Sequence, residues 1–309
     1  MQGKRKIIID TDPGHDDALA ILLLERSGLF DIRAITTVAG NSSIEDTTNN
    51  ARYVLDLIKS ETPLYSGAEK PLKRELIMAE VHGKGGLAGS VITKRERLTK
   101  NASQKIIELV QENPGEISIV SLGPETNIAD AFLRDPELPK LIREIVIMGG
   151  AIAVPGNKNR VGEFNIFVDP EAADIVLKAD VRKVLVSLDV CNDVVLTIED
   201  FERLYGSPLY EPIKKMMQYY ILGIQEFEKS AGAFMYDPLA AYYLINQKAY
   251  RTVPMDIKIE TVSELTRGMT VADRRIWGEK TYNADVVVSI DKDSFINDFF
   301  AILKGADEL

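Results

Sequence analysis

Ile7-Ile8-Ile9-Asp10-Thr11-Asp12-Pro13-Gly14-His15-Asp16-Asp17-Ala18-Leu19-Ala20 decides how this chain is read. Three β-branched residues in a row suit a strand buried on both faces. Pro13-Gly14 then turns the chain, and the apolar spacing after Asp16 is that of a helix. Strand, tight turn and helix in this order make the first half of a βαβ unit. In open sheets of that kind, ligands bind outside the carboxyl ends of the strands, where the aspartates fall.

The rest of the chain continues the alternation. Apolar runs of strand length lie at 6–10, 32–38, 117–122, 145–148 and 184–188, with helical patterns between them at 16–26, 44–59, 103–111, 125–133 and 170–177. This rhythm predicts an α/β fold with a mainly parallel, doubly wound, Rossmann-like sheet. Residues 197–249 read as mostly helical, 255–262 and 284–290 as strands, and 294–303 as a closing helix. The glycine- and charge-rich stretch 70–100 resists assignment. No repeat or polar linker divides the chain, so one domain over residues 1–309 with helical insertions is expected.

Composition narrows the function. The net charge of −10 argues against nucleic acid or an anionic membrane as partner. No apolar run approaches the roughly 18 residues of a membrane span, and no signal-like segment opens the chain, so cytoplasm is the expected compartment. The single Cys191 can form no intrachain disulfide. With only His15 and His82, a three-histidine zinc site is excluded.

Asp10, Asp12, Asp16 and Asp17 fall within eight residues, more than helix capping uses. Two carboxylates about 4 Å apart repel by roughly 4 kcal/mol at an effective dielectric near 20. A hard cation removes that penalty, and an all-oxygen ligand set points to calcium or magnesium. An EF-hand does not fit, because counting from Asp10 its twelfth position is Ile21, not the required Glu. A haloacid-dehalogenase-like, metal-dependent phosphatase also places Asp-x-Asp after its first strand. It lacks the Pro-Gly-x-Asp-Asp continuation, and this chain has no glycine-rich phosphate loop. That class, and a non-catalytic nucleoside- or sugar-binding protein, are the alternatives to a hydrolase.

Asp10-Thr-Asp-Pro-Gly-His-Asp-Asp17 resembles the N-terminal signature of the inosine-uridine-type nucleoside hydrolases. The resemblance extends through Ile35-Thr-Thr-Val-Ala-Gly-Asn41, Gly123-Pro-Glu-Thr-Asn127, Met148-Gly-Gly150, Glu163-Phe-Asn165 and Asp237-Pro238. It implies hydrolysis of the N-glycosidic bond of ribonucleosides, with calcium (Ca2+) as cofactor and a homo-oligomer, dimer or tetramer. It further implies that Asp12, Asp17, the Thr126 carbonyl and Asp237 ligate calcium, with the nucleophilic water completing the shell and Asp12 as its general base. Asp16, Asn41, Asn165 and Asp237 would hold the ribose 2′- and 3′-hydroxyls, Asn157 and Glu163 the 5′-hydroxyl, and Met148 would line the ribose pocket. Asp10 would brace the turn from behind.

The chain departs from the pattern beside the base. Many relatives carry histidine before the Asp-Pro pair, as proton donor to the leaving base, and a purine-specific branch carries tryptophan; here Tyr236 stands there. His82, in Val81-His-Gly-Lys-Gly-Gly86, matches a histidine placed near the base in broad-specificity members. Tyr236 is therefore expected to act through its ring, with His82 or solvent supplying the proton. The helix before Tyr236 lacks clear matches to the tyrosines and glutamine that some pyrimidine-preferring members use, and offers Gln225, Phe227 and Glu228 nearby instead. Cys191 reads as a small buried hydrophobe and His15 as a turn residue without chemistry.

Overall fold

The computed structural model describes residues 3–92 and 99–305, so residues 93–98 of the unassigned stretch and both ends of the expected 1–309 domain lie outside it. The first half contains β1 (Arg5–Thr11), α1 (His15–Arg26), β2 (Phe30–Thr37), α2 (Ile44–Leu57), β3 (Leu64–Ser66), α3 (Ala102–Glu112), β4 (Ser118–Ser121), α4 (Thr126–Arg134) and β5 (Glu144–Met148). The second half contains α5 (Phe164–Val168), α6 (Pro170–Lys178), β6 (Lys183–Val186), α7 (Leu188–Cys191), β7 (Val195–Leu196), α8 (Tyr210–Phe227), β8 (Ala233–Phe234) and α9 (Tyr236–Ile245). It closes with β9 (Tyr250–Met255), β10 (Ile257–Ile259), β11 (Thr270–Ala272), β12 (Ala284–Ile290) and α10 (Lys292–Lys304).

Eight strands form one sheet in the order β3-β2-β1-β4-β5-β6-β12-β9. All neighbours run parallel except β12 and β9. The strand order reverses direction between β1 and β4, a switch point at which the loops leaving both strands diverge and a crevice opens. This is the expected single α/β domain with a mainly parallel sheet.

Helices cover both faces because the strands are apolar on both. Ile7 and Ile9 of β1 join a core that includes α1, α2, α8, α9 and α10, whereas Ile8 joins one that includes α3, α4 and α6. In α1, every residue from His15 to Leu24 is buried, and in α9 every residue from Tyr236 to Leu244. A helix apolar all round must be covered all round. These two cover each other between the sheet and the outer helices, so their N-termini arrive together at the strand ends.

Two expectations change, and one strand, β3, was not foreseen. Residues 255–262 are not one strand: β9 stays in the main sheet against β12, and after Asp256 the chain leaves it so that β10 pairs with β11. The carbonyl of Asp256 accepts Asp273 N–H there, which starts the separate ribbon. The edge strand β3 follows Pro63 and is too short to show alternation. Leu188 opens the short α7, so β6 ends at Val186.

Asn127 in the first turn of α4 braces the carboxyl edge of the sheet. Its Nδ2 donates to Asp10 Oδ1 at 2.8 Å and to the Thr37 carbonyl at 3.0 Å, and its Oδ1 accepts Ala68 N–H at 2.9 Å. Asn127→Ala would take one hydrogen bond each from Asp10, the Thr37 carbonyl and Ala68 N–H, and should cost about 2–3 kcal/mol of stability. Urea unfolding checks this, and a loss under about 0.5 kcal/mol would show that the brace is dispensable.

Candidate active site

The loop after β1 folds its aspartates inward, each for a separate reason. Asp10, at the end of the strand, accepts Thr36 Oγ1–H at 2.5 Å and Asn127 Nδ2–H at 2.8 Å. Burial nonetheless pushes its carboxyl up to about 7. Asp17, in the first turn of α1, accepts Thr11 Oγ1–H at 2.5 Å, Gly14 N–H at 2.9 Å and Asn41 Nδ2–H at 3.1 Å. Asp12 sits between the loops that follow β2 and β4. Its Oδ2 accepts Asn41 N–H at 2.6 Å, while its buried Oδ1 has no hydrogen-bond partner among the described residues.

Gly40 and Gly123 make room for that carboxylate. A Cβ on Gly40 would lie 2.1 Å from Asp12 Oδ2, and one on Gly123 would lie 2.4 Å from Oδ1. The two loops can close on Asp12 only without side chains at these positions.

Asp16 and Asp17 of α1 meet Asp237 of α9, and the three offer carboxylate oxygens that lie within 4.8 Å of one another. All are buried, and Asp16 Oδ1, like Asp12 Oδ1, is buried without a hydrogen bond. Burial first, then the charge of Asp17, pushes Asp12, Asp16 and Asp237 well above the ordinary carboxylate range. Burial also raises Asp17, against the donors that favour its charge. Orphaned carboxylate oxygens converging on one point are what a hard divalent cation satisfies. The donor set therefore fits such an ion. The N-terminal ends of α1 and α9 add positive potential there. Thr126, the fourth expected ligand, is buried at the first position of α4, and its hydroxyl donates to Asp169 Oδ2 at 2.8 Å.

A cavity of about 240 Å³ opens beside the cluster. Asp16, Asn41, Met148, Asn157, Glu163, Asn165 and Asp237 all line it, as do His82 and Tyr236. The candidate substrate residues are thus brought together, whereas Asp12, Asp17 and Thr126 do not form its wall. Glu163 and Asn165 are not on a solvated loop. Glu163 caps α5, its Oε1 accepting Asn165 N–H at 2.8 Å and its Oε2 accepting Gly150 N–H at 3.0 Å. Asn165 Nδ2 donates to the carbonyls of Leu122 at 2.8 Å and Met148 at 3.2 Å. Asn157 Oδ1 accepts Phe164 N–H at 2.9 Å, which orients its amide.

At the other end, His82 packs against His15 and Tyr220, with ring centroids 5.4 and 5.2 Å away. Its Nδ1 lies 3.3 Å from His15 N–H, and its Nε2 lies 3.9 Å from Asp16 Oδ1. Burial and the neighbouring His15 push His82 well below its usual range, so the ring is neutral. Gly14 is required here too, since a Cβ would come 2.7 Å from the His82 ring. Tyr236 stacks on Phe234 at 5.2 Å, and its hydroxyl donates to Glu228 at 2.8 Å. The ring packs as expected, but the hydroxyl is also engaged.

Sequence reasoning missed His15, Tyr220 and the use of Glu228. Residues 220, 224 and 228 follow a four-residue spacing, which turns one face of α8 and its end toward the cavity. That spacing was the available signal for Tyr220 and Glu228. Nothing local marks His15 as a partner of His82, 67 residues away.

Residues 7–297 match the family described as inosine-uridine preferring nucleoside hydrolase. The pyrimidine-specific ribonucleoside hydrolase RihA of Shigella boydii is 37% identical over 298 residues, which cover 94% of this chain and 96% of the relative. A plant nucleoside hydrolase structure superposes with a TM-score of 0.90 at 30% identity, covering 98% of this chain and 99% of that one. A purine-preferring ribonucleoside hydrolase from Gardnerella vaginalis superposes with a TM-score of 0.89 at 28% identity, covering 97% and 98% of the two chains. The chain belongs to the inosine-uridine preferring nucleoside hydrolase family and is a hydrolase acting on N-glycosyl compounds.

Proposed function

We propose that the chain cleaves ribonucleosides to ribose and free base at the junction of the aspartate cluster and the cavity, with Asp12 as general base. The observation that carries this reading is the cavity lined by Asp16, Asn41, Asn165 and Asp237 at the buried carboxylate cluster. The unpartnered Oδ1 of Asp12, whose other oxygen is held by the cavity-lining Asn41, supports Asp12 as the base. A carboxylate fixed through Oδ2 by Asn41 N–H, with Oδ1 free, is suited to take a proton from water. Asp12, Asp17, Asp237 and the Thr126 carbonyl would hold calcium, with Asp16 close by. Bound there, the ion supplies the positive charge that lets these carboxylates ionise together and lowers the pKa of water.

The chain's own residues do the remaining work. Asp16, Asn41, Asn165 and Asp237 bind the 2′- and 3′-hydroxyls, Asn157 and Glu163 the 5′-hydroxyl, and Met148 packs on the sugar. Fixing the ring in this way removes the rotational freedom that attack at the anomeric carbon would otherwise lose. As the bond to the base breaks, positive charge develops on the sugar, and the surrounding carboxylates stabilise it. The leaving base needs a proton or a strong hydrogen bond. Neutral His82 lines the cavity and, with its hydrogen on Nε2, would donate it to the leaving base.

Release of reducing sugar from inosine, uridine, cytidine and adenosine tests the activity directly. Asp12→Asn should lower kcat at least a hundredfold, the scale of losing a general base, while the melting temperature stays within a few degrees. Near-normal turnover would move the base elsewhere, with Asp16 the next candidate.

The 5′ end should discriminate strongly. Glu163 is buried and lined up with three backbone N–H groups, which leaves no room for a second anion. Lys158, the one Lys or Arg lining the cavity among the described residues, sits over the Phe164 ring at 5.8 Å. Nucleosides should exceed their 5′-monophosphates in kcat/KM by at least a hundredfold. Comparable values for uridine and its 5′-phosphate would refute the assignment of Glu163.

A further inference from the structure

The base end of the cavity holds a pair of groups that the hydrolytic chemistry does not use. Glu228 lines the cavity, half-buried, at the C-terminal cap of α8. An acid at that end of an 18-residue helix faces the negative pole of the helix, so it gains nothing from the helix itself. Its partner is Tyr236, which donates its only hydroxyl hydrogen to Glu228 Oε2 at 2.8 Å. Tyr236 is in turn fixed by stacking on Phe234 and by its place in the first turn of buried α9.

This bond determines what the pair offers a ligand. With its hydrogen committed, Tyr236 can only accept, and a carboxylate can only accept. Toward the cavity the pair therefore presents acceptors alone. Cytosine and adenine carry an exocyclic amine, a donor that a glutamate side chain reads directly. Uracil and hypoxanthine carry a carbonyl at the same place, which would face the carboxylate oxygen to oxygen and lose its solvation without a replacement donor. A site built to bond one group rejects the analogue that lacks it far better than an apolar pocket rejects a change of shape.

We propose that Glu228, positioned by Tyr236, is the specificity-determining residue for the base, favouring the amino-substituted nucleosides cytidine and adenosine over uridine and inosine. The inference rests on the nucleoside-cleaving reading above. It concerns selection only: no proton moves between the pair and the base.

The test compares kcat/KM within each matched pair, cytidine against uridine and adenosine against inosine, for the native protein and Glu228→Gln. The carboxamide can turn either an oxygen or an N–H toward the base, so the variant should lose discrimination. The native protein should favour the amino member at least tenfold in each pair it cleaves, and Glu228→Gln should bring that ratio within threefold. A native ratio below threefold, or a variant that keeps the native ratio, overturns the proposal. Product inhibition of the native protein needs no variant: cytosine should inhibit at least tenfold more strongly than uracil, and equal inhibition overturns it as well. Rates on 4-nitrophenyl riboside, which carries neither group, separate the two readings. If the protein cleaves neither this substrate nor any nucleoside, the hydrolase reading fails and the inference with it; cleavage with unchanged base ratios overturns the inference alone.

Discussion

Four carboxylates, those of Asp12, Asp16, Asp17 and Asp237, are buried in one neighbourhood, the last three within reach of a single ion, with too few donors to satisfy them. A buried charge without a partner is among the most costly features a fold can carry, and breaking such a cluster costs more than never forming it. Much of the local architecture supplies compensation. Thr11, Gly14 and Asn41 donate to Asp17, and the N-termini of α1 and α9 converge on the site. Neither helix could reach that point without its near-total burial, so the apolar cores and the polar site are parts of one arrangement.

Close approach is the second constraint. Gly40 and Gly123 bring the loops after β2 and β4 against Asp12, and Gly14 brings His82 against the turn after β1. A single methyl at any of them would drive apart loops that come from different strands. The same economy operates at Gly223 of α8, where a Cβ would lie 2.1 Å from the Val81 carbonyl. The cavity wall carrying His82 is therefore held against the helix that leads to Glu228. The segment carrying His82 and the helix carrying Glu228 are thus joined through backbone contact.

The sheet, the order of most elements and the residues gathered around the cavity were legible in the sequence, because each is encoded by local pattern or a short motif. Asp12 and Asn41 follow strand ends, where a parallel sheet delivers its ligand groups, and Glu163 and Asn165 fall in one short motif at the start of α5. What stayed hidden depends on contacts far apart along the chain. His15 gains its role only when the loop carrying His82 folds over it. Glu228 gains its role only when α8 ends opposite Tyr236. The three-residue β3 and the departure of β10 from the main sheet are set by partners, and no periodicity in so few residues could announce them.

The claim on which the account turns is that the aspartate cluster is a cation site and not a set of protonated acids. Thermal unfolding of metal-stripped protein titrated with calcium, with magnesium alongside, tests it most directly. An ion that binds only the folded state stabilises it by RT ln(1 + [L]/Kd), about 2.7 kcal/mol at a hundredfold excess over Kd. The account predicts a rise of several degrees that saturates at one equivalent of calcium and disappears in Asp237→Asn. A melting temperature that no divalent cation moves, in protein shown to be metal-free and folded, would contradict it.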